Sequence, residues 1–150
     1  MPETWIALDS SARRKNWWWT GYLTAIFVGL AIALIAVGEK FAWIIFISFF
    51  WLLAVAYIIN RAYGRTLLTS DGIKFHTFFS RRVTPWPEVA DIKKRRHQGR
   101  SAEWWELRII RQRGRSLGVP GAFTSRRYDD TFENKLVLIR EYWARSVRAE

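Results

Sequence analysis

Two long, uncharged apolar runs dominate the first part of the chain. They cover residues 17–38 and 41–59, and only Glu39 and Lys40 separate them. Each run is close to the ~20 residues that an α-helix needs to cross about 30 Å of hydrocarbon. Because residues 61–150 are too few to enclose two such helices, the pattern predicts transmembrane helices rather than core helices of a soluble protein.

The short connection between the runs predicts an antiparallel helical hairpin, since every lipid-exposed backbone group must stay within a helix. Three basic residues, Arg13–Lys15, precede the first run, and Arg61 and Arg65 follow the second. The opposite loop carries one acid and one base. Basic residues favour the cytoplasmic side, so we expect both termini to be cytoplasmic.

Small residues recur at every fourth position of the first run. They are Gly21, Ala25, Gly29 and Ala33. Such a series allows close approach of another helix. The interpretation that we favour is packing against the bulky second run, which is always present; the alternative is contact with a second copy or another membrane protein. Because the runs contain no Asp, Glu, Lys, Arg or His, no ion path or proton relay is indicated.

After residue 60 the period changes to that of β-strands. Asp71-Gly72 lies between two short β-prone runs and predicts a tight hairpin. Ile73 and Phe75 then alternate with polar residues, as in a half-buried strand. Further strands are expected at 82–85, 89–95, 104–111 and 116–119, with Val89 and Ile92 inward and a polar loop over residues 97–102.

The end of the chain predicts one amphipathic helix. Tyr128-Asp129-Asp130 supplies capping residues and early negative charge for a helix that begins near residue 130. The apolar positions that follow fall on one face of that helix. They are Phe132, Leu136, Ile139 and Trp143.

This order of strands and a final helix resembles the pleckstrin-homology superfold, in particular bacterial PH-like domains that follow a two-helix membrane hairpin. The resemblance is carried by residues 65–73, 81–89, Asp91-Ile92, 105–110 and the terminal helix. It implies six or seven antiparallel strands in two near-orthogonal sheets, closed by the C-terminal helix, and a bacterial inner-membrane location. The loop that binds phosphoinositides in eukaryotic members is here the short acidic turn 70–72, so that function is not carried over.

The expected organisation is a cytoplasmic N-terminal segment (residues 1–16), a transmembrane hairpin (17–60) and a cytoplasmic PH-like domain (61–150). The net charge of +11 divides unevenly. Residues 1–60 have four bases and three acids (+1), and residues 61–150 have twenty bases and ten acids (+10).

The basic residues of the second part are candidates for contact with anionic lipid or a protein partner. They are Arg81, Arg82, Lys93, Lys94, Arg95, Arg96 and Arg100. Each base near an anionic leaflet contributes about 1 kcal/mol of attraction. A generic solvated basic face is an equally weighted interpretation.

No catalytic, cofactor or metal site is expected. The two histidines, His76 and His97, are expected to be unpaired, and Glu103 and Glu106 to lie on a solvated edge. The absence of cysteine excludes disulfides, thiolate metal sites and cysteine nucleophiles.

We therefore expect a non-enzymatic membrane protein that acts as an adaptor, an assembly factor or an accessory subunit of a larger membrane complex. Its partners would be membrane lipids and another membrane protein, or a second copy bound through the first helix. The alternative is a sensor of anionic lipid head groups. Nucleic acid is not an expected partner, because no recognition element is present.

Overall fold

The computed structural model describes residues 2–149, and these form two compact units. One unit consists of residues 9–62. The other joins the N-terminal residues up to Leu8 with the chain from Tyr63 onward. The first unit is helical, and the second contains both sheets.

The helical unit contains two helices that are long and apolar enough to cross a membrane. Helix α1 spans Ser10–Val37 and helix α2 spans Phe41–Tyr63, so both extend beyond the uncharged runs into polar flanks. Gly38 ends α1 in the left-handed conformation, and its N–H and that of Glu39 donate to carbonyls of the last turn. None of the most apolar stretch of either helix is buried within the protein, unlike a soluble core helix.

Aromatic side chains hold the two helices together. Phe27 of α1 stacks on Trp51 of α2 with a centroid distance of 5.1 Å. The Trp51 indole also donates to Thr24 Oγ1 at 3.2 Å. Thr24 in turn donates to the carbonyl of Thr20, so these polar groups are satisfied within the helix pair.

The second unit, called the folded unit below, comprises the N-terminal residues up to Leu8 and the chain from Tyr63 onward. Within the described residues it contains seven strands in two antiparallel sheets. The first sheet has the order β1 (Thr4–Ala7), β2 (Arg65–Leu68), β3 (Gly72–His76) and β4 (Arg81–Pro85). The second sheet has the order β5 (Val89–Gln98), β6 (Glu103–Arg111) and β7 (Leu117–Thr124). A short 3₁₀ turn, Trp86–Glu88, connects them, and helix α3 (Asp130–Arg148) follows.

The predicted Asp-Gly hairpin is confirmed between β2 and β3. Thr69 and Gly72 exchange hydrogen bonds across it. Glycine is required at residue 72 because an added Cβ would lie 2.5 Å from the Thr84 carbonyl oxygen. The indole of Trp86 closes the turn by donating to the Thr69 carbonyl at 2.9 Å.

Strand β1 was not predicted from the sequence. It pairs with β2 and buries Ile6 in the core. Tyr142 of α3 fixes the segment, because its hydroxyl donates to the Pro2 carbonyl at 2.6 Å and lies 2.7 Å from Thr4 Oγ1. The N-terminal residues are therefore an integral part of the β-rich unit.

Both sheets and α3 share a single hydrophobic core. The predicted helix face is confirmed for Phe132, Leu136 and Ile139, which are buried, and Trp143 packs at the margin. Tyr142 is a further buried member that the spacing did not predict. Because each sheet has one face on this core, its opposite face is available for function.

The predicted helix cap is confirmed at Asp129. Burial raises the pKa of the Asp129 carboxyl, but hydrogen bonds from Thr124, Phe132 and Thr131, with the charge of Arg126, outweigh burial and hold the pKa below its usual value. The charged carboxylate is therefore the state that caps α3.

Candidate functional site

The basic candidates do not form a single patch. Arg81 and Arg82 begin β4 of the first sheet, whereas Lys93–Arg96 belong to β5 of the second. Arg100 lies in the turn between β5 and β6. The structure thus divides the candidates into two groups with different surroundings.

The group on the second sheet is largely paired with acids. Lys93 lies 3.3 Å from Asp91, Lys94 pairs with Glu133 of α3, and Arg96 pairs with Glu103 of β6. Alternation along β5 directs Lys94 toward α3, where its ammonium also lies 5.2 Å from the Phe132 ring centroid. The basic run in the sequence therefore has much of its charge neutralised locally.

His97 and Glu106 differ from the sequence expectation. His97 was expected to be unpaired in a loop, but β5 extends to Gln98, and His97 Nε2 lies 2.7 Å from Glu106 Oε1. Its ring stacks on Trp104 at a centroid distance of 4.0 Å. Arg108 Nε approaches the same carboxylate oxygen to 3.1 Å.

The expected solvated edge at Glu106 is also wrong. Strand β6 is the central strand of the second sheet, and only 18% of the Glu106 side chain is exposed. The position of β6 could not be read from the tryptophans alone, because edge and central strands share the same local pattern. Glu106 is consequently a structural ion-pair partner for His97 and Arg108.

The outer face of the first sheet has a different electrostatic character. The register aligns Arg65, His76 and Arg81 across β2, β3 and β4, and Lys74 lies two residues before His76 on β3, on the same face. The four strands contain no Asp or Glu, and within residues 2–149 no ion pair involves the lysine or arginines of this sheet. Its positive charge is therefore uncompensated by neighbouring acids.

The pKa of His76 is lowered in part by this positive charge. Burial, then the charges of Arg81, Arg65 and Lys74, hold the pKa of His76 below its usual 6.5. Its ring meets Trp5 edge-on at 5.3 Å, and the Arg65 guanidinium lies 4.7 Å from the Trp5 ring centroid. The neutral imidazole is thus the favoured state on this face at neutral pH.

An aromatic hairpin tip adjoins the same face. Phe78 and Phe79 connect β3 to β4, are each 68% exposed, and contact each other edge-to-face at 5.2 Å. Thr77 and Ser80 brace the turn: the Thr77 N–H donates to the Ser80 carbonyl at 2.9 Å, and the Ser80 N–H donates to Thr77 Oγ1 at 3.1 Å. This aromatic tip was not predicted from the sequence.

The small-residue series of α1 is not used to pack the hairpin. All four residues, Gly21, Ala25, Gly29 and Ala33, are exposed. A Cβ added at Gly21 or Gly29 would meet nothing within 4 Å. The favoured prediction of packing against α2 is therefore wrong, because α2 contacts the face that carries Thr24 and Phe27 instead.

A shallow hollow of about 360 Å³ lies at the N-terminal end of this small-residue face. Its lining comes entirely from α1 and consists of Arg14, Trp17, Trp18, Gly21 and Tyr22. Gly21, which has no side chain, lies among the aromatic residues of this lining. Only the guanidinium of Arg14 gives it a charge.

Among the described residues, 2–149, no cluster of three or more His, Asp or Glu side chains could hold a metal ion. The chain matches no known protein-family pattern and no curated protein. Functional inference consequently depends on the geometry of the two units.

Proposed function

We propose that this protein is a non-enzymatic, membrane-anchored adaptor or accessory subunit, which joins a larger membrane-protein assembly through the small-residue face of α1. The observation that carries the proposal is that this face is exposed although α2 is already packed against α1. In lipid, helix association depends on close packing, and small residues permit it. A partner helix therefore has a surface on which it can approach the α1 backbone closely.

The proposal includes the topology and the domain type. Both helices would span a bacterial inner membrane with the termini in the cytoplasm, in accord with the basic residues that flank them. The folded unit would be PH-like, with α3 closing two sheets. In this arrangement the helices select the partner and the folded unit presents its two basic sheets on the cytoplasmic side.

Substitution of Gly29 by leucine tests the adaptor proposal. Beyond its neighbours in α1, the added Cβ meets no atom within 4 Å, so the hairpin itself should be unaffected. We expect the wild-type chain, solubilised from native membranes in mild detergent, to be captured with a different membrane protein in fixed stoichiometry. Gly29→Leu should lose that partner.

The matched control is Ala42→Leu, which adds similar bulk at an exposed small residue of α2. It should retain the partner. A wild-type chain that is always recovered alone, or only as a homo-oligomer, would contradict the adaptor proposal.

The alternative function, sensing of anionic lipid, has support from the first sheet. Arg81 and Arg82 are exposed and have no acidic neighbour in the sheet, whereas most bases in the run at residues 93–96 are paired with acids. If the protein senses lipid, we expect the first sheet to do so rather than the more conspicuous basic run.

A further inference from the structure

We propose that the β3–β4 hairpin tip is a membrane-insertion element, which places Phe78 and Phe79 in the interface of an anionic phospholipid bilayer while Arg65, Arg81 and Arg82 contact the head groups. This inference does not rest on the partner-binding face of α1. It assigns a site to the aromatic pair, which is exposed and is not part of the hydrophobic core.

The exposure of the aromatic pair is the first argument. A phenylalanine ring carries a large apolar surface. Two adjacent rings, each 68% exposed, therefore form an exposed apolar patch at the end of this hairpin. The other hairpin tips of the described residues contain no aromatic residue: they are Ser70-Asp71 between β2 and β3, residues 99–102 between β5 and β6, and residues 112–116 between β6 and β7. Because hydrogen bonds between Thr77 and Ser80 brace the turn, the rings are presented without ordering a flexible loop.

Charge complementarity is the second argument. Arg81 and Arg82 follow the tip directly, and Arg65 is aligned with Arg81 through His76. All three arginines are exposed, and no carboxylate from the first sheet competes for them. Aromatic residues bordered by bases are the combination that binds the interface of an anionic membrane.

The strand register supplies the third argument. Ala7, Arg65, His76 and Arg81 form one row across the four strands. The chain passes from Ala7 to α1 through two residues and reaches Arg65 from α2 through one, while the aromatic turn continues from His76 at this same end. If both helices span the bilayer, chain length alone keeps this end of the sheet near the membrane surface.

A membrane is a better match than a protein partner for the shape of this element. The tip is a projecting two-residue turn rather than a groove, and its bases surround it on neighbouring strands. A bilayer interface can take up projecting apolar side chains without a complementary pocket, whereas a protein partner would need such a pocket.

Single-cysteine labelling of the full chain tests the proposal, because the natural sequence contains no cysteine. An environment-sensitive fluorophore is attached to Phe79→Cys and the chain is reconstituted in bilayers of phosphatidylcholine with or without phosphatidylglycerol. The matched control is Ser101→Cys, at the tip of the β5–β6 hairpin, which has one neighbouring arginine but no aromatic residue. Quenching by shallow spin-labelled lipid and by aqueous iodide measures insertion.

We expect the label at residue 79 to be quenched by lipid and shielded from iodide when phosphatidylglycerol is present, and the label at residue 101 to show the reverse. Combining Arg81→Gln and Arg82→Gln should lower the ratio of inserted to withdrawn tip by about fivefold per arginine. Both arginines are exposed, so the substitutions should leave the fold unchanged.

Three outcomes would overturn the proposal. The label at residue 79 could remain open to iodide in every bilayer. It could be shielded equally without anionic lipid, which would remove the role of the arginines. It could also be shielded only after a second protein is added, which would identify the tip as a protein contact. None of these results affects partner capture through Gly29, so the two proposals fail separately.

Discussion

The two sheets of the folded unit are both basic, but they differ in whether acidic side chains pair with their basic residues. The second sheet contains the longest basic run of the sequence, and three of its four members have acidic partners. The first sheet has fewer bases, scattered along the chain, and none of them has an acidic partner within the described residues. A conspicuous charge run is therefore a poorer guide to a binding face than the register that aligns bases and acids.

The largest predicted effect tests whether the two sheets differ only in their surface charges and share one hydrophobic core. Ile73 of the first sheet and Ile92 of the second are both fully buried in one core. Substitution of either by alanine should lower the free energy of unfolding by about 2–5 kcal/mol, because each leaves a cavity in that core. Chemical unfolding of the full chain in detergent, with hydrogen exchange, measures the effect.

Both variants should lower amide protection in both sheets, since the sheets share their interior. If each substitution affects only its own sheet, the sheets are independent layers and the shared-core description is wrong.

A smaller effect is expected for the ion pairs that distinguish the second sheet. Glu106→Gln should cost about 1–3 kcal/mol, because it withdraws a half-buried charge from His97 and Arg108. Glu103→Gln, at a more exposed pair with Arg96, should cost no more than about 1 kcal/mol. Equal losses in denaturant unfolding would show that burial does not separate the two pairs.

The smallest effect concerns His76 on the first sheet. The pKa of His76 in the folded chain lies below 6.5, so between that pKa and pH 6.5 the unfolded chain binds more protons than the folded chain. His76 therefore contributes to folding stability above pH 6.5. That contribution to stability is lost as the pH falls from 6.5 through the folded-state pKa. A histidine NMR titration of the full chain should give a midpoint below 6.5. Arg81→Gln should raise that midpoint, because it removes one of the charges that lower it.

Arg95→Gln, on the other sheet, is the control and should leave the His76 midpoint in place. A midpoint at or above 6.5 in the wild-type chain would contradict the uncompensated positive field on the first sheet.

Much of the fold could be predicted because its signals are local. The helices follow from uncharged length, the β2–β3 turn from Asp71-Gly72, and α3 from its cap and spacing. Strand β1 could not be predicted in the same way, because four residues carry little periodicity and their partner, β2, lies beyond both helices in sequence. Trp5 and Ile6 do alternate outward and inward, which is the one available signal.

The candidate site was less predictable because its properties depend on register. The sequence does not show that Glu106 faces His97, or that no acid faces Arg65 and Arg81. The face of α1 that contacts α2 was also ambiguous, since small residues and large aromatic residues can each form a helix interface. Here Phe27 and Trp51 form it, and the small residues are left exposed.

Charge reversal on one sheet at a time is the most direct test of the central claim, that the first sheet and its aromatic tip form the membrane-facing surface. The full chain labelled at residue 79 carries either Arg81→Glu with Arg82→Glu, or Lys93→Glu with Arg95→Glu, in bilayers that contain phosphatidylglycerol. We expect the first pair to withdraw the label from lipid and the second to leave lipid quenching unchanged. Loss of quenching only in the second pair, or in neither, would contradict the account.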